Sequence, residues 1–492
     1  MKKILLCLLL FYKSILFSQT ILNSYPLDLK ISGINNELLN VENVKTHEVF
    51  VFASDNENIS ILKYNASLFL TDQYKAPIKN LDDKHLIGYS FSEDGNPTLY
   101  WSRLDFSYIF AIKYYLESKT FKVLNFSFPS ADQYVVDIFQ KNNSFYILSK
   151  DVSKPTLNVY AFKNGTVEEK IFDFSPFTFQ DKSTHLLTFT QLIKENPIEK
   201  IEAGDYNSLY KSAKKSKFYV LDDKFILTLD YNPKKTQVFE ISMESEEIKE
   251  KNFTQSIIQN PKIVSNSFYH QNKLYQITAD KSQMFLDIKD FNSNQTIKSF
   301  KVSKDENVNF KISPFFLERD GAKPKEFEKT NVFLQHLSKL DIGLSVFKND
   351  QNTFIMLGGA SEIEKPFSMF NNFYDPFTQD FPEANFYQGG YPAEIHSKSV
   401  YFETELNDNH EFVNPEPQPL AIDNISYFLD INKKVTLQSI MKFKDYYILG
   451  YYDKGTKQYI MRKFQDGFET DDAIDPLNTP SSFSKSFLKN RH

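Results

Sequence analysis

The sequence predicts a mainly β fold: a propeller-like array of antiparallel meanders, about seven or eight blades, with a few short helices. Three observations predict it. Short runs rich in Phe, Tyr, Val, Ile and Thr alternate with polar residues. Turn signals separate the runs. The runs recur in groups of four.

The alternation has period two. Phe239, Ile241 and Met243 alternate with Glu240 and Ser242, and Leu286 and Ile288 with Asp287 and Lys289. Phe172 and Phe174 flank Asp173, and Phe126 and Phe128 flank Ser127. A strand places successive side chains on opposite faces, so this pattern suits strands with one face on a core. Between them stand Asp94-Gly95, Asn164-Gly165, Lys454-Gly455, Asp466-Gly467 and Asn232-Pro233. Asn-Gly and Asp-Gly tolerate the positive φ of tight hairpin turns.

Residues 134–174 read as Tyr134–Phe139, Phe145–Ser149, Leu157–Phe162 and Glu168–Phe174. Residues 263–302 repeat the scheme as Ile263–Tyr269, Leu274–Thr278, Met284–Phe291 and Thr296–Val302. Tyr100, Tyr146, Tyr219, Tyr275, Tyr401 and Tyr447 are expected to mark the second strand of successive units, at spacings of 46, 73, 56, 126 and 46 residues. A four-stranded blade needs about 45–50 residues, so the wide gaps are expected to hold an insertion and one or two degenerate blades. Trp-Asp dipeptides and a recurring double glycine are absent. An irregular stack of sheets, or two β-sandwiches, would give the same alternation.

Three segments break the β pattern and predict short helices packed on a sheet edge or end. In 205–217, Tyr206, Leu209, Tyr210 and Ala213 share a face, with Asp205 as N-cap. In 324–343, Pro324 opens and Gly343 closes a helix with Phe327, Thr330, Leu334 and Leu337 on one face. In 423–432, Asp423 precedes Ile425, Phe428 and Leu429. The stretch 363–398 follows neither period. It is crowded with Phe and Tyr and interrupted by Pro366, Pro376, Pro382 and Pro392, which block a central strand. It reads as a long aromatic loop inserted in the propeller-like domain, and long loops within compact domains tend to carry function. Its Phe373, Tyr374, Phe386, Tyr387 and Tyr391 are the candidate binding residues, since aromatic faces stack on sugars or apolar ligands.

The N-terminus predicts a signal peptide over residues 1–18. Lys2 and Lys3 precede an apolar run from Ile4 to Tyr12, Lys13 interrupts it, and Ser18-Gln19-Thr20 follow. The run falls short of the ~20 residues of a membrane span. Leu6 before Cys7, and apolar residues after it, do not suit a lipid-modified cysteine. Removal of residues 1–18 would take the single Cys and leave 54 basic against 63 acidic residues, a net charge of -9. Residues 19–470 are then expected to form the propeller-like domain, and 471–492 a flexible acidic and polar tail.

Composition excludes several chemistries. Without a Cys in the remainder, disulfides, thiol catalysis and thiolate metal sites are gone. Arginine occurs only at 103, 319, 462 and 491 in an acidic chain, which argues against nucleic-acid binding. His47-Glu48 and His410-Glu411 lack the second histidine of a His-Glu-x-x-His zinc site, and neither Gly-x-Ser-x-Gly nor a phosphate-cradling Gly loop occurs. The eight histidines are dispersed; His85 and His185 begin apolar runs and suit strand edges. Glu403, Glu405 and Asp408, and Glu469 with Asp471-Asp472, could serve a hydrolase or a calcium site but read as solvated surface. No catalytic residue, metal site or cofactor is expected.

The Lys-started leader ending in Phe17-Ser18-Gln19, followed by β repeats rich in Phe, Tyr, Lys and Asn, resembles exported propeller-like proteins of the Bacteroidetes type. The resemblance implies a cell-envelope protein. The polar C-terminus lacks a β-rich sorting domain, which favours the periplasm over the extracellular space. The expected function is non-catalytic binding or scaffolding, with an envelope protein or glycan as partner. The alternative is a secreted hydrolase or lyase acting on glycans or peptides through carboxylates at a central channel.

Overall fold

A computed structural model of the chain describes residues 21–31, 36–78, 84–127, 132–163, 165–258, 260, 262–320, 322–348, 352–363, 396–414 and 419–467. Among them are seven sheets of four or more strands, numbered here in chain order. Sheet one is Glu37–Asn43, Glu48–Ser54, Asn58–Tyr64 and Leu70–Pro77. Sheet two is His85–Phe91, Pro97–Ser102, Tyr108–Tyr115 and Thr120–Ser127. Sheet three is Gln133–Lys141, Ser144–Asp151, Thr156–Lys163 and Thr166–Asp173, and sheet five is Val264–His270, Lys273–Ala279, Gln283–Asp290 and Thr296–Ser303. All four are simple antiparallel meanders, and sheets three and five match the two units read from the sequence.

The other three depart from the meander. Sheet four runs Ser216–Val220, Lys224–Leu229, Lys235–Ser242 and Ile248–Thr254, and gains Ile198–Ile201 as a parallel strand beside its first. Sheet six joins Asp341–Lys348, Thr353–Ile363 and His396–Leu406 to the earlier strand Phe315–Arg319, which Lys325–Phe327 flanks. Sheet seven is Val435–Phe443, Tyr446–Asp453 and Gln458–Phe464, and its fourth strand is the first among the described residues, Ile21–Pro26.

Neighbouring sheets share apolar cores. Val41 and Phe52 of sheet one meet Leu99 and Ile112 of sheet two. Tyr100 and Ile109 meet Phe145 and Phe162 of sheet three. Phe139 and Leu148 meet Phe225 and Phe239 of sheet four. One large core then joins sheets four, five and six, from Tyr219 through Phe268 to Leu344. Sheet seven packs Tyr452 and Tyr459 on Val49 and Leu62 of sheet one, returning the series to its start. The array is a propeller. Burying one such side chain contributes about 1.5–3 kcal/mol, so these cores supply the bulk of the stabilisation. Inner strands lie between two neighbours, which is why all of Pro97–Ser102 is buried, whereas outer strands such as Thr166–Asp173 alternate with solvent.

The joint between sheets six and seven differs. Helix α4 (Ala421–Ile431) fills it with Ile425, Phe428 and Leu429, and Tyr206 packs there as well. The connection 174–215, between sheets three and four, carries a two-stranded hairpin, helix α1 (Phe189–Glu195) and the single turn α2 (Leu209–Ser212). The end of α2 presses against the first strand of sheet six. A Cβ on Gly343 would come within 2.7 Å of Ala213, so only glycine permits the approach. Between sheets seven and one, Tyr459 donates to Asn40 Oδ1 (3.0 Å) and Ser439 Oγ accepts from Asn40 N (2.9 Å).

Several expectations need correction. Asp205 does not cap a helix: Ser208 caps α2, and Asp205 instead accepts from Tyr447. The 324–343 helix, α3, is only Thr330–Leu337; Phe327 and Gly343 lie in strands because edge pairing takes both ends of the segment. Helix 423–432 is present as α4 with the expected buried face. Tyr219 and Tyr401 stand in the first strand of sheet four's meander and the third of sheet six, not in second strands.

A buried ion network joins sheets four and five. Lys217 and Asp230, both fully buried, pair at 2.8 Å. Lys217 also donates to Asn266 Oδ1 (2.6 Å) and Lys214 O (2.8 Å), while Asp230 accepts from Thr236 and Ser267. Burial holds the Lys217 ammonium below its ordinary pKa, against the pull of Asp230. Asp230→Ala strands this buried charge. In urea unfolding it should cost about 3–5 kcal/mol, and adding Lys217→Met should recover most of the loss.

Candidate functional site

An antiparallel meander puts its first and third turns at one end and its second turn, with the link to the next sheet, at the other. The second turns are built alike. Asp55 Oδ1 accepts from Glu57 and Asn58 N–H, Asp151 from Ser153 and Lys154, Asp280 from Ser282 and Gln283, and Asp453 from Gly455 and Thr456. Asp105 does the same for Ser107 in sheet two. In sheet four Asp230 turns inward to the ion network, and Asn232 holds the turn through Lys234 N–H. A short carboxylate that accepts from the next turn's N–H groups fixes that turn rigidly. This aspartate repeat was legible in the sequence, and tracking the tyrosines passed over it.

The same end carries large exposed apolar side chains. Leu104 (51% exposed) and Val152 (57%) sit on the second turns of sheets two and three. Ile257 (83%) lies on the link from sheet four to sheet five. Leu186 (71%) belongs to the hairpin of the 174–215 connection, which Asn232 and Lys234 tie to sheet four's turn through Gln180 O and Lys182 O. Exposed apolar side chains above tightly held turns are a feature of interaction surfaces; the opposite end also exposes Phe69 and Val44, on turns of sheet one. The other end has a cavity of about 210 Å³ lined by Asp223, Lys224, Glu240, Ser242, Glu247 and Lys249. Its charges are largely paired, as in Lys224–Glu240 at 2.7 Å.

The expected aromatic stretch 363–398 is shorter at both ends, because Ile363 and His396–Lys398 belong to the second and third strands of sheet six. These strands pair as far as Ile363↔His396, at the end that carries Leu104, Val152, Leu186 and Ile257, and residues 364–395 lie outside the described residues. Phe373, Tyr374, Phe386, Tyr387 and Tyr391 lie outside the described residues, as do residues 1–20 and 468–492.

The interior holds a different constellation. In the joint between sheets six and seven, Tyr206 packs edge-on against Phe347 and donates to Met356 Sδ at 3.4 Å. Burial, with the charges of Glu403, Asp423, Tyr401 and Glu318, raises its phenol well above the ordinary range. Burial, helped by Asp423, pushes the Glu403 carboxyl up to about 7. Burial alone raises Glu37, on sheet one, to about 7, and chiefly burial does so for Asp137 on sheet three. A carboxyl poised near neutrality can give or take a proton.

The other sequence candidates do not converge. Glu405 accepts from Asn352 Nδ2, and Asp408 pairs with Lys348. His85 begins a strand, whereas His185 precedes one and pairs with Asp181. His270 and His410 are buried near Lys273. Among the described residues no group of three His, Cys, Asp or Glu side chains could hold a metal ion, and no helix is long and apolar enough to cross a membrane.

No family model and no curated protein sequence matches the chain. Solved structures similar to it include an oligogalacturonate lyase in complex with manganese (TM-score 0.34, 8% identity, 91% of this chain and 98% of that one). A WD40 domain of SCAP from fission yeast (0.28, 9%, 92% and 88%) is another. A third is a prolyl endopeptidase (0.31, 7%, 90% and 49%), of which the chain spans about half the length.

The raised carboxyls make stability depend on pH. Glu37, Asp137 and Glu403 keep protons in the folded state that the unfolded chain releases nearer pH 4. Stability should therefore fall as pH rises from about 4 to 7 and level off above. His270, held down to about 4 chiefly by burial, opposes this below pH 6.5. Melting temperatures measured from pH 5 to 8 should decline, and Glu403→Gln should raise the pH 8 value by several degrees with little change at pH 5.

Proposed function

We propose that the chain is an exported, non-catalytic binding or scaffolding protein of the cell envelope, working in the periplasm. Its binding surface is the propeller end bearing the aspartate-held turns. The observation that carries this reading is the exposure of Leu104, Val152, Leu186 and Ile257 beside the aspartate-held turns of that end. The partner is an envelope protein or a glycan. Phe373, Tyr374, Phe386, Tyr387 and Tyr391 are the aromatic residues that this reading assigns to ligand contact, since stacking rings suit a sugar or an apolar side chain. The Lys-started leader supports export.

A second reading is favoured by Glu403, whose carboxyl near pKa 7 lies within electrostatic reach of Asp423 and Tyr206. It makes the chain a secreted hydrolase or lyase acting on glycans or peptides, with Glu403 as the proton-transferring group.

Co-purification from native envelopes tests both. Wild type should capture a stable partner, and Leu186→Asp with Ile257→Asp should lose it while keeping the wild-type melting temperature. Undiminished capture by that variant would contradict the first reading. Turnover of envelope glycans or peptides that Glu403→Gln abolishes would establish the second.

A further inference from the structure

The corner of sheet six near the Ile363↔His396 end of its second and third strands concentrates positive charge. Antiparallel register sets Arg319 directly opposite Lys398. Lys398 Nζ lies 3.2 Å from Nδ1 of His336, in the last turn of α3. Lys339 follows three residues later, and its charge reaches both His336 and Lys398. Like charges directly opposite on paired strands destabilise a sheet. The chain has more acids than bases, yet no carboxylate among the described residues forms an ion pair with Arg319, Lys339 or Lys398. The adjacent acids are directed elsewhere. Asp320 Oδ1 accepts from Ser397 N–H, and buried Glu318 faces the Tyr206 joint. Departures from the ordinary rules of charge pairing, with no compensating contact, mark functional positions.

We propose that Arg319, His336, Lys339 and Lys398 form a binding site for an oxyanion group, a carboxylate or a phosphate, carried by the ligand. The Arg319 guanidinium can take two oxygens side by side, and Lys398 and Lys339 add point charges. An ammonium can only donate, so Lys398 donates to His336 Nδ1, and the neutral ring keeps its proton on Nε2 as a further donor. Burial, Lys398, Arg319 and Lys339 together hold the His336 pKa below its ordinary value, so a bound anion should raise it. Asp320 and Glu318 are the acids that flank Arg319 in the chain. The inference rests on the reading of this propeller end as the binding face, and it names the ligand chemistry there.

NMR titration of the His336 ring in the full chain, at physiological salt, tests it with inorganic phosphate and with a hexuronate monosaccharide as probes. Saturable shifts and a raised His336 pKa with either probe are the expected result. A preference for the hexuronate assigns an acidic sugar, and a preference for phosphate a phosphorylated ligand. Arg319→Gln and Lys398→Gln should each weaken binding about tenfold or more, while Lys249→Gln, at the opposite end, should not change it. Absence of saturable shifts at millimolar probe, or equal shifts in the Arg319→Gln protein, would overturn the proposal. Lost anion binding with partner capture intact removes this inference alone. Intact anion binding with capture unaffected by Leu186→Asp and Ile257→Asp removes the wider reading instead.

Discussion

The pairing of Ile21–Pro26 with Gln458–Phe464 is the constraint on which the architecture depends. Without it, sheet seven would keep three strands and a bare edge, and edges invite pairing with other chains. With it, the first and last segments share one sheet, and that sheet shares a core with sheet one. Gly450 shows how close this contact is, since a Cβ there would fall 1.8 Å from Asn40 Nδ2. Without a disulfide, this contact is held by hydrogen bonds and burial, through the strand Ile21–Pro26 and the Tyr459–Asn40–Ser439 group.

That closure leaves the two ends of the propeller free to differ. One end carries a charged, largely self-paired pocket on sheet four, the buried His270 and His410, and the exposed Phe69 and Val44 of sheet one. The other end combines aspartate-held turns, exposed Leu, Val and Ile side chains, the 174–215 insertion and the cations Arg319 and Lys398 of sheet six, which no carboxylate among the described residues pairs. Rigid turns cost little to hold still on binding, so a surface made of them is well suited to recognition. The interior is divided in the same way. The Lys217–Asp230 network between sheets four and five is saturated with hydrogen bonds and acts as a polar rivet. The joint between sheets six and seven places Glu403 within electrostatic reach of Asp423 and the half-buried Tyr206, which is chemically less settled.

Much of the fold was legible because outer strands alternate with solvent and hairpin turns need particular residues. The four-strand units at 134–174 and 263–302 follow directly from that. Inner strands are buried on both faces, so Pro97–Ser102 carries no alternation, and the tyrosine count slipped at Tyr219 and Tyr401, where sheets four and six depart from the simple meander. Helix α1 went unread although Thr188 and Gln191 form a reciprocal capping box at its start. The site was harder. Arg319, His336 and Lys398 are far apart in sequence, and only the strand crossing that brings Phe315–Arg319 against His396–Leu406 joins them. Exposure of Leu186 or Ile257 likewise follows from tertiary packing and cannot be seen in a run of apolar letters.

Hydrogen–deuterium exchange of the chain alone and in complex with its captured partner tests the central claim most directly. The account predicts added protection at the turns around residues 103–107, 152–155, 181–187 and 255–258, with the turns at 44–47, 221–223 and 243–247 unchanged. Protection confined to that second set, or to the outer strands, would contradict it.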